Sequence, residues 1–365
     1  MVKNLISALV AFMSIACLTT LSYPLDGQVS LERGLFEESD DIDFVYEDGS
    51  FSYVSYLKKE NPGEEQKKTS CHDYTGGTSP PLIGVWMWDH RKAVGREEEV
   101  VERLKKENIR KVYLQLGDDL EALWTFVNKV KAASIEVFGL DGAPEYINDY
   151  HRLLDDIERI RNFNLRHKEF PFDGFQVDVE PYLKKDFNLK KAYYVQKYVQ
   201  MAHAVKAYIG DEFRLSFALP FWFDTLSSGE KPLSHKVIDI ADEVVIMSYR
   251  TDYDAIVDSA YSELCYASSV GKPLFLGIEI TRLPNEQHFV INKTVLREFL
   301  ADDGTILVLK RDIRDIVPMT RRYEVKAEKV TFHKKRGQWK GVLQRVPPFR
   351  SFKGYIIHSY EGLDE

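Results

Sequence analysis

From Leu82 onward, short apolar runs alternate with longer stretches whose apolar residues recur at helical spacing, the pattern of repeated βα units. Eight runs are predicted as strands: Gly84–Trp88, Lys111–Leu116, Ile135–Leu140, Gly174–Glu180, Arg214–Leu219, Glu243–Ser248, Pro273–Ile280 and Tyr355–His358. Between them the spacing predicts helices over Glu97–Lys106, Leu120–Ala133, Ile147–Arg161, Leu189–Ile209, Lys236–Ala241 and Ala255–Ser269, with a last one over Lys334–Gln344. The stretch from about Leu283 to Lys329 exceeds an ordinary loop. It is expected to carry structure of its own, helical over Val295–Leu300 and strand-like over Thr305–Leu309.

Eight strands with helices between them predict an α/β fold, a single (β/α)8 (TIM) barrel over 82–365 with an N-terminal extension and an insertion at about 283–329, between strands seven and eight. An open doubly wound sheet fits less well, because no Gly-x-Gly-x-x-Gly follows the first strand. Residues 23–81 are acidic and then lysine-rich, broken by Asn61-Pro62-Gly63 and Thr75-Gly76-Gly77, and read as a low-order segment before the barrel. Within it, Phe44–Tyr46 and Phe51–Tyr53 flank Asp48-Gly49 and form a candidate hairpin.

Composition narrows the partners. A 365-residue chain with 44% hydrophobic residues can bury a full core, and a net charge of -8 supplies no basic field for nucleic acid. Lys3 followed by the apolar run Leu5–Leu21 has the layout of a secretory signal peptide over 1–22, implying a secreted or extracytoplasmic protein with no membrane span once it is removed. A signal anchor is the variant of that reading. Ser14-Ile15-Ala16-Cys17 also resembles a lipoprotein box, with Ser14 where an aliphatic residue is usual. Cys71 and Cys265 then remain, able to form one disulfide or to stand as separate thiols. Neither has zinc-site spacing, so no metal and no cofactor is expected. Asn292-Lys293-Thr294 is a glycosylation sequon, and oligomeric state is not legible.

The chemistry centres on Phe172-Asp173-Gly174-Phe175-Gln176-Val177-Asp178-Val179-Glu180-Pro181-Tyr182. A period of two sends Gln176, Asp178 and Glu180 to one face, and a carboxylate pair at a buried strand end costs desolvation energy that needs a reason, either a satisfied structural pair beside a turn or catalysis at a strand end. Barrels of this kind collect their active sites at the carboxyl ends of the strands. There the sequence delivers Trp86, Trp88, Asp89, His90, Gln115, Asp141, Asp178, Glu180, Tyr182, Trp222, Asp224, Tyr249, Arg250, Glu279, His358, Tyr360 and Glu361. Acids and aromatic rings at one mouth are what glycoside cleavage requires: rings stack on sugars, and paired acids protonate the leaving oxygen and stabilise an oxocarbenium-like transition state. Glu180 is the expected general acid, its pKa raised by burial and by Asp178. Trp86, Trp88 and Trp222 are the expected stacking rings, and Gln115, Asp141, Tyr182, Arg250, His358, Tyr360 and Glu361 the expected remaining sugar contacts.

Asp173-Gly174-Phe175-Gln176-Val177-Asp178-Val179-Glu180 resembles the Asp-Gly-x-Asp-x-Asp-x-Glu signature of family 18 glycoside hydrolases, the chitinases and endo-N-acetylglucosaminidases. The resemblance implies that Glu180 is the proton donor and that Asp178 orients a substrate acetamido group acting as internal nucleophile. Met247-Ser248-Tyr249 is similar to that family's Met-x-Tyr, which implies that Tyr249 touches the reacting sugar. The chain departs from the family at Gln176, where the signature has Asp, at Arg250, where an Asp follows the Tyr, and at His358-Ser359-Tyr360-Glu361, where a Trp is expected. A second, architectural resemblance is to retaining glycosidases that carry the acid on strand four and a Glu nucleophile on strand seven, the places of Glu180 and Glu279. The leading expectation is therefore a secreted glycoside hydrolase. The alternative is a non-catalytic carbohydrate-binding barrel, and a phosphodiesterase suggested by Asp89-His90-Arg91 lacks the early acidic cluster such enzymes need.

Overall fold

A computed structural model describes residues 28–30, 41–47, 50–54, 71, 80–184, 187, 190–292, 305–307, 319–335 and 337–364. The expected leader and the Val295–Leu300 helix lie outside them. The barrel strands are β1 (Leu82–Met87), β2 (Lys111–Gln115), β3 (Glu136–Asp141), β4 (Gly174–Val177), β5 (Arg214–Pro220), β6 (Glu243–Met247), β7 (Leu274–Glu279) and β8 (Phe352–His358). Each pairs in parallel with its neighbours in chain order, and β8 pairs with β1 through Ile357 and Val85, closing an eight-stranded barrel. All eight predicted strands are present, with ends shifted by a few residues.

The helices α1 (Glu97–Lys106), α2 (Trp124–Ala132), α3 (His151–Arg166), α4 (Lys191–Ile209), α5 (Leu233–Ile240), α6 (Tyr253–Ser259), α7 (Tyr261–Val270) and α8 (Gln338–Val342) complete the wall. Helix α1 shows why they form. Three glutamates in its first turn and Arg103, Lys105 and Lys106 in its last complement the helix dipole, while Val100, Val101 and Leu104 are buried. The helix predicted over Ala255–Ser269 is two, since Ala260 leaves helical geometry between them and the Asp252 carboxylate caps the first by accepting from the Asp254 and Ala255 amides. The last helix is shorter than its pattern, because Gly337 enters it at a φ of 78°, where the helix cannot extend backward.

Two polar layers and an aromatic one fill the barrel. Period-two alternation turns Trp86, Tyr113, Phe138, Val245, Phe275 and Ile356 inward as one apolar cluster. Below it, at the amino end, Lys111 Nζ lies 2.6 Å from Glu243 Oε2 and 3.4 Å from Glu136 Oε2. Arg214 lies 2.9 Å from Glu136 and 3.7 Å from Glu243. Tyr113 donates to Glu243 at 2.7 Å.

Outside the barrel, the hairpin read from the sequence is present: Asp41–Glu47 pairs antiparallel with Ser50–Val54. It does not stand alone. Asp41–Glu47 also pairs with Glu286–Asn292 of the insertion, which pairs with Met319–Val325, giving a four-stranded sheet. Gln28–Ser30 pairs with Thr305–Leu307, the described part of the predicted strand there. Pairing between segments this distant leaves no local signal in the sequence. Cys71 is bonded to Cys265 of α7, with Cα atoms 5.6 Å apart.

Candidate active site at the carboxyl mouth of the barrel

The ladder of β4 ends at Val177, and Gln176, Asp178 and Glu180, which the alternation places on one face, are all buried. Gln176 sits deepest. It accepts from Trp86 Nε1 at 2.6 Å and donates to Ser216 Oγ at 3.0 Å. Asp178 is held by its backbone, the amide donating to Asp141 O at 3.1 Å. Gly142 makes that approach possible: a Cβ there would stand 1.9 Å from the Asp178 carbonyl oxygen. Glu180 precedes Pro181, which turns the chain into a short 3-10 segment, and accepts a hydrogen bond from the Tyr182 hydroxyl.

On the facing strands, Glu279 and His358 end β7 and β8 side by side, paired in register, with His358 Nδ1 2.6 Å from Glu279 Oε2. The contact is a close ion pair rather than a well-directed hydrogen bond, and His358 Nε2 has no hydrogen-bond partner. Glu279 Oε1 is taken by Thr281, whose amide and hydroxyl both donate to it, the hydroxyl at 2.5 Å. Thr281 is held in turn by Thr331, just past the insertion, whose hydroxyl donates to Thr281 O at 2.5 Å. The His358 ring lies 6.0 Å from that of Trp86 and 5.9 Å from that of Tyr249. Nothing here is open to solvent: Glu279 is 0%, His358 1%, Tyr249 4%, Glu180 4% and Asp178 6% exposed.

Burial and mutual charge set the protonation states. Desolvation pushes Asp178 up to about 7, with the His358 charge pulling the other way. Glu180 is driven well above the usual carboxyl range, by burial first and by the Asp178 charge second. Burial and the charges of Glu279, Asp178 and Glu180 keep Tyr249 neutral. His358 moves upward although burial opposes it, because Glu279, Glu361 and Asp178 all favour the imidazolium. Among the described residues, His358 is the only cation in ion-pair contact with any of Asp178, Glu180, Glu279 and Glu361.

Of the residues picked from sequence, Asp178, Glu180, Tyr182, Tyr249, Glu279, His358 and Trp86 come together. Glu361 joins them through its charge on His358, its Oε1 accepting from the Asp89 amide at 3.1 Å. Trp88 packs in the same aromatic cluster as Trp86 and Tyr249, with its Nε1 unpartnered, and Tyr360 is buried just past β8. Gln115, at the end of β2, is half-buried.

Three residues have other surroundings. Asp141 accepts from the Gly142 amide at 2.8 Å and faces Tyr146 and Arg152, in a network with Asp156, which burial and Asp141 push up to about 8. Trp222 is buried edge-on against Tyr182, Phe187 and Phe223 and supports Tyr182 from the core. Arg250 lies over the Phe221 ring at 4.4 Å and donates to Tyr249 O, its own neighbour. Sequence reasoning missed Ser216 and Thr281, small hydroxyl residues whose only signal is their strand position facing Gln176 and Glu279. No group of residues suited to holding a metal ion occurs among the described residues.

No protein-family model matches the chain, and neither does any curated protein. Among solved structures it is similar to a spore cortex-lytic enzyme of Bacillus cereus, at 11% identity and a TM-score of 0.41 over 78% of this chain and 72% of that one. It is also similar to a class V chitinase of Pseudomonas fluorescens, at 11% identity and a TM-score of 0.39 over 76% and 95% of the two chains. A third is an endo-β-N-acetylglucosaminidase of Cordyceps militaris, at 16% identity and a TM-score of 0.38 over 56% and 69%. Matches this distant do not carry an activity across, which has to be read from the mouth of the barrel itself.

Proposed function

We propose that the chain is a glycoside hydrolase-like protein in which Glu180 protonates the leaving oxygen of a bond between sugars. The observation that carries this reading is the buried acid pair on one inward face, Asp178 and Glu180, where burial and the neighbouring Asp178 charge favour the protonated form of Glu180. Such a carboxyl group can donate a proton where an exposed one cannot. Asp178 Oδ1 has no partner and is available to a sugar N–H or O–H. Glu279 is engaged at both oxygens, by Thr281 and by His358, which disfavours it as a nucleophile. That favours attack by the substrate's own acetamido group, and so an oligo- or polysaccharide of N-acetylated amino sugars. Tyr249, neutral and beside the acids, is suited to donate to that group. The same proposal puts the protein in an extracytoplasmic compartment, supported by the Leu5–Leu21 run and by the Cys71–Cys265 bond.

A second reading, a sugar-binding barrel without turnover, is favoured by Gln176. Its amide is locked between Trp86 and Ser216 and cannot cycle a proton with Asp178. A panel of glycans offered to the full chain separates the two. Turnover that falls about 10²-fold or more in Glu180→Gln, with binding retained, supports the hydrolase. Binding without turnover by the unmodified protein supports the second reading, and turnover unchanged in Glu180→Gln assigns the acid elsewhere.

A further inference from the structure

We propose that Thr331, on the chain returning from the insertion, is a positioning residue of the site: through Thr281 it fixes the direction in which Glu279 meets His358 at the barrel mouth. The purpose of that device rests on the hydrolase reading, but its contacts do not. β6 stops pairing with β7 at Ile246 and Leu276, and the Ser248 amide donates back to Ile246 O at 2.8 Å, turning the chain out of the ladder at Met247. Beyond that point Thr331 takes the place beside β7. It bridges Glu279 in parallel, and the Phe332 amide donates to Glu279 O at 2.9 Å. The last residue of β7 therefore lies between His358 of β8 and the returning chain. The same chain is tied to the loop after β6, where the Thr251 hydroxyl donates to Glu328 O at 2.7 Å and Lys335 Nζ donates to Thr251 Oγ1 at 2.9 Å. The Ala327 amide, donating to Asn285 Oδ1 at 2.9 Å, closes the base of the insertion.

Every step from Thr331 to the mouth is a direct contact. Thr331 is 3% exposed, and its hydroxyl donates to Thr281 O at 2.5 Å while accepting from the His333 amide at 3.1 Å. A β-branched side chain bonded in both directions has one orientation open to it. Thr281 in turn gives its amide and its hydroxyl to Glu279 Oε1, and Glu279 Oε2 lies 2.6 Å from His358 Nδ1. A carboxylate held at one oxygen by two donors of one residue presents its other oxygen in a direction set by that residue. The His358 ring then rests against Trp86 and Tyr249, at 6.0 Å and 5.9 Å between ring centres. The insertion thus supplies part of the framework of the mouth, although none of its own acids or rings enters the site described above.

Nitrogen-15 NMR of the full chain labelled at its histidine rings, with the His358 signals assigned by their loss in His358→Gln, tests the run of contacts without any need for turnover. Thr331→Val keeps the shape and removes the hydroxyl, so it should move the His358 signals, whereas Thr331→Ser keeps the hydroxyl and should leave them in place. His333 bonds directly to Thr331 and responds to any local change, so movement of His333 with His358 still would overturn the proposal. Equal movement of His358 in both variants would assign the effect to packing and overturn it as well. So would movement of His203 and His235, on α4 and α5, by as much as His358. Thr281→Val removes the next hydroxyl in the run and should also move His358; it decides the matter where Thr331→Val does not fold, and a still His358 there overturns the proposal. Where a hydrolysed glycan is found, Thr331→Val should lower kcat about tenfold and Thr331→Ser should restore it to within about twofold, and an equal loss in both overturns the proposal. Absence of turnover in the unmodified protein would sink the hydrolase reading, while the His358 signals still decide the role of Thr331.

Discussion

The two ends of the barrel interior both hold buried ionisable groups, Lys111 and Glu243 at one and Asp178, Glu180, Glu279 and His358 at the other, and treat them in opposite ways. At the amino end Lys111 and Arg214 meet Glu136 and Glu243, two cations against two anions at ion-pair distance. There Glu136 is held below the usual carboxyl range and Arg214 is raised, so each charge is stabilised by its partners. At the carboxyl end three acids, Glu279, Glu361 and Asp178, act on one imidazole, and the carboxyl groups of Asp178 and Glu180 rise instead. Burial alone therefore does not mark a site. A balanced cluster maintains the fold, whereas an unbalanced one stores protons at positions where water would not hold them.

The comparison can be broken most severely from below. Lys111→Met should destabilise the protein by about 3–5 kcal/mol in urea denaturation, because Glu243 is left buried against a single, more distant Arg214. A loss under about 1 kcal/mol would show that the amino-end network is not what balances those acids. Gly142→Ala should cost about 1–3 kcal/mol and lower any activity further than stability, since the new methyl group must displace the Asp178 carbonyl. Equal effects on both would mean that the two residues move apart without disturbing the carboxylate.

Asp178→Asn should act in the opposite direction, raising stability at pH 8 by about 1–2 kcal/mol while slowing turnover, because it removes a buried charge that lacks full compensation. The pH dependence gives the sign independently. Asp178 titrates at about 7 in the folded protein and at about 3.9 when unfolded, so the folded state binds the proton more tightly. Its contribution to stability is complete below pH 4 and is lost as pH rises through 7. Denaturation midpoints from pH 4 to 8 should fall more steeply for the unmodified chain than for Asp178→Asn. The mildest change is Ser216→Ala, between the two layers, which removes one partner of Gln176 and should cost about 1 kcal/mol in the same measurement.

Much of this contrast is legible in the sequence, though not evenly. Alternation along 174–180 places Gln176, Asp178 and Glu180 on one face, and the structure turns that face inward. The βα rhythm gives all eight barrel strands, since each must bury an apolar outer face under a helix. What could not be read are facts about distance. Gly142 touching the Asp178 carbonyl, Thr281 fixing Glu279 and Asp141 turning toward Arg152 depend on how neighbouring strand ends meet, and nothing within one element records them. Trp222 shows the same limit: its edge-on contacts with Tyr182, Phe187 and Phe223 join separate elements and have no local signal.

The sheet outside the barrel has a consequence in time rather than in space. Asp41–Glu47 is made early, and Glu286–Asn292, the strand lying along its free side, is made only after β1 through β7 have all been synthesised. Any hairpin formed by Asp41–Glu47 and Ser50–Val54 therefore keeps its Asp41–Glu47 edge open throughout the making of most of the barrel. Any partner that caps that edge in the interval, whether a chaperone or a second nascent chain, competes with the insertion for the same row of backbone hydrogen bonds.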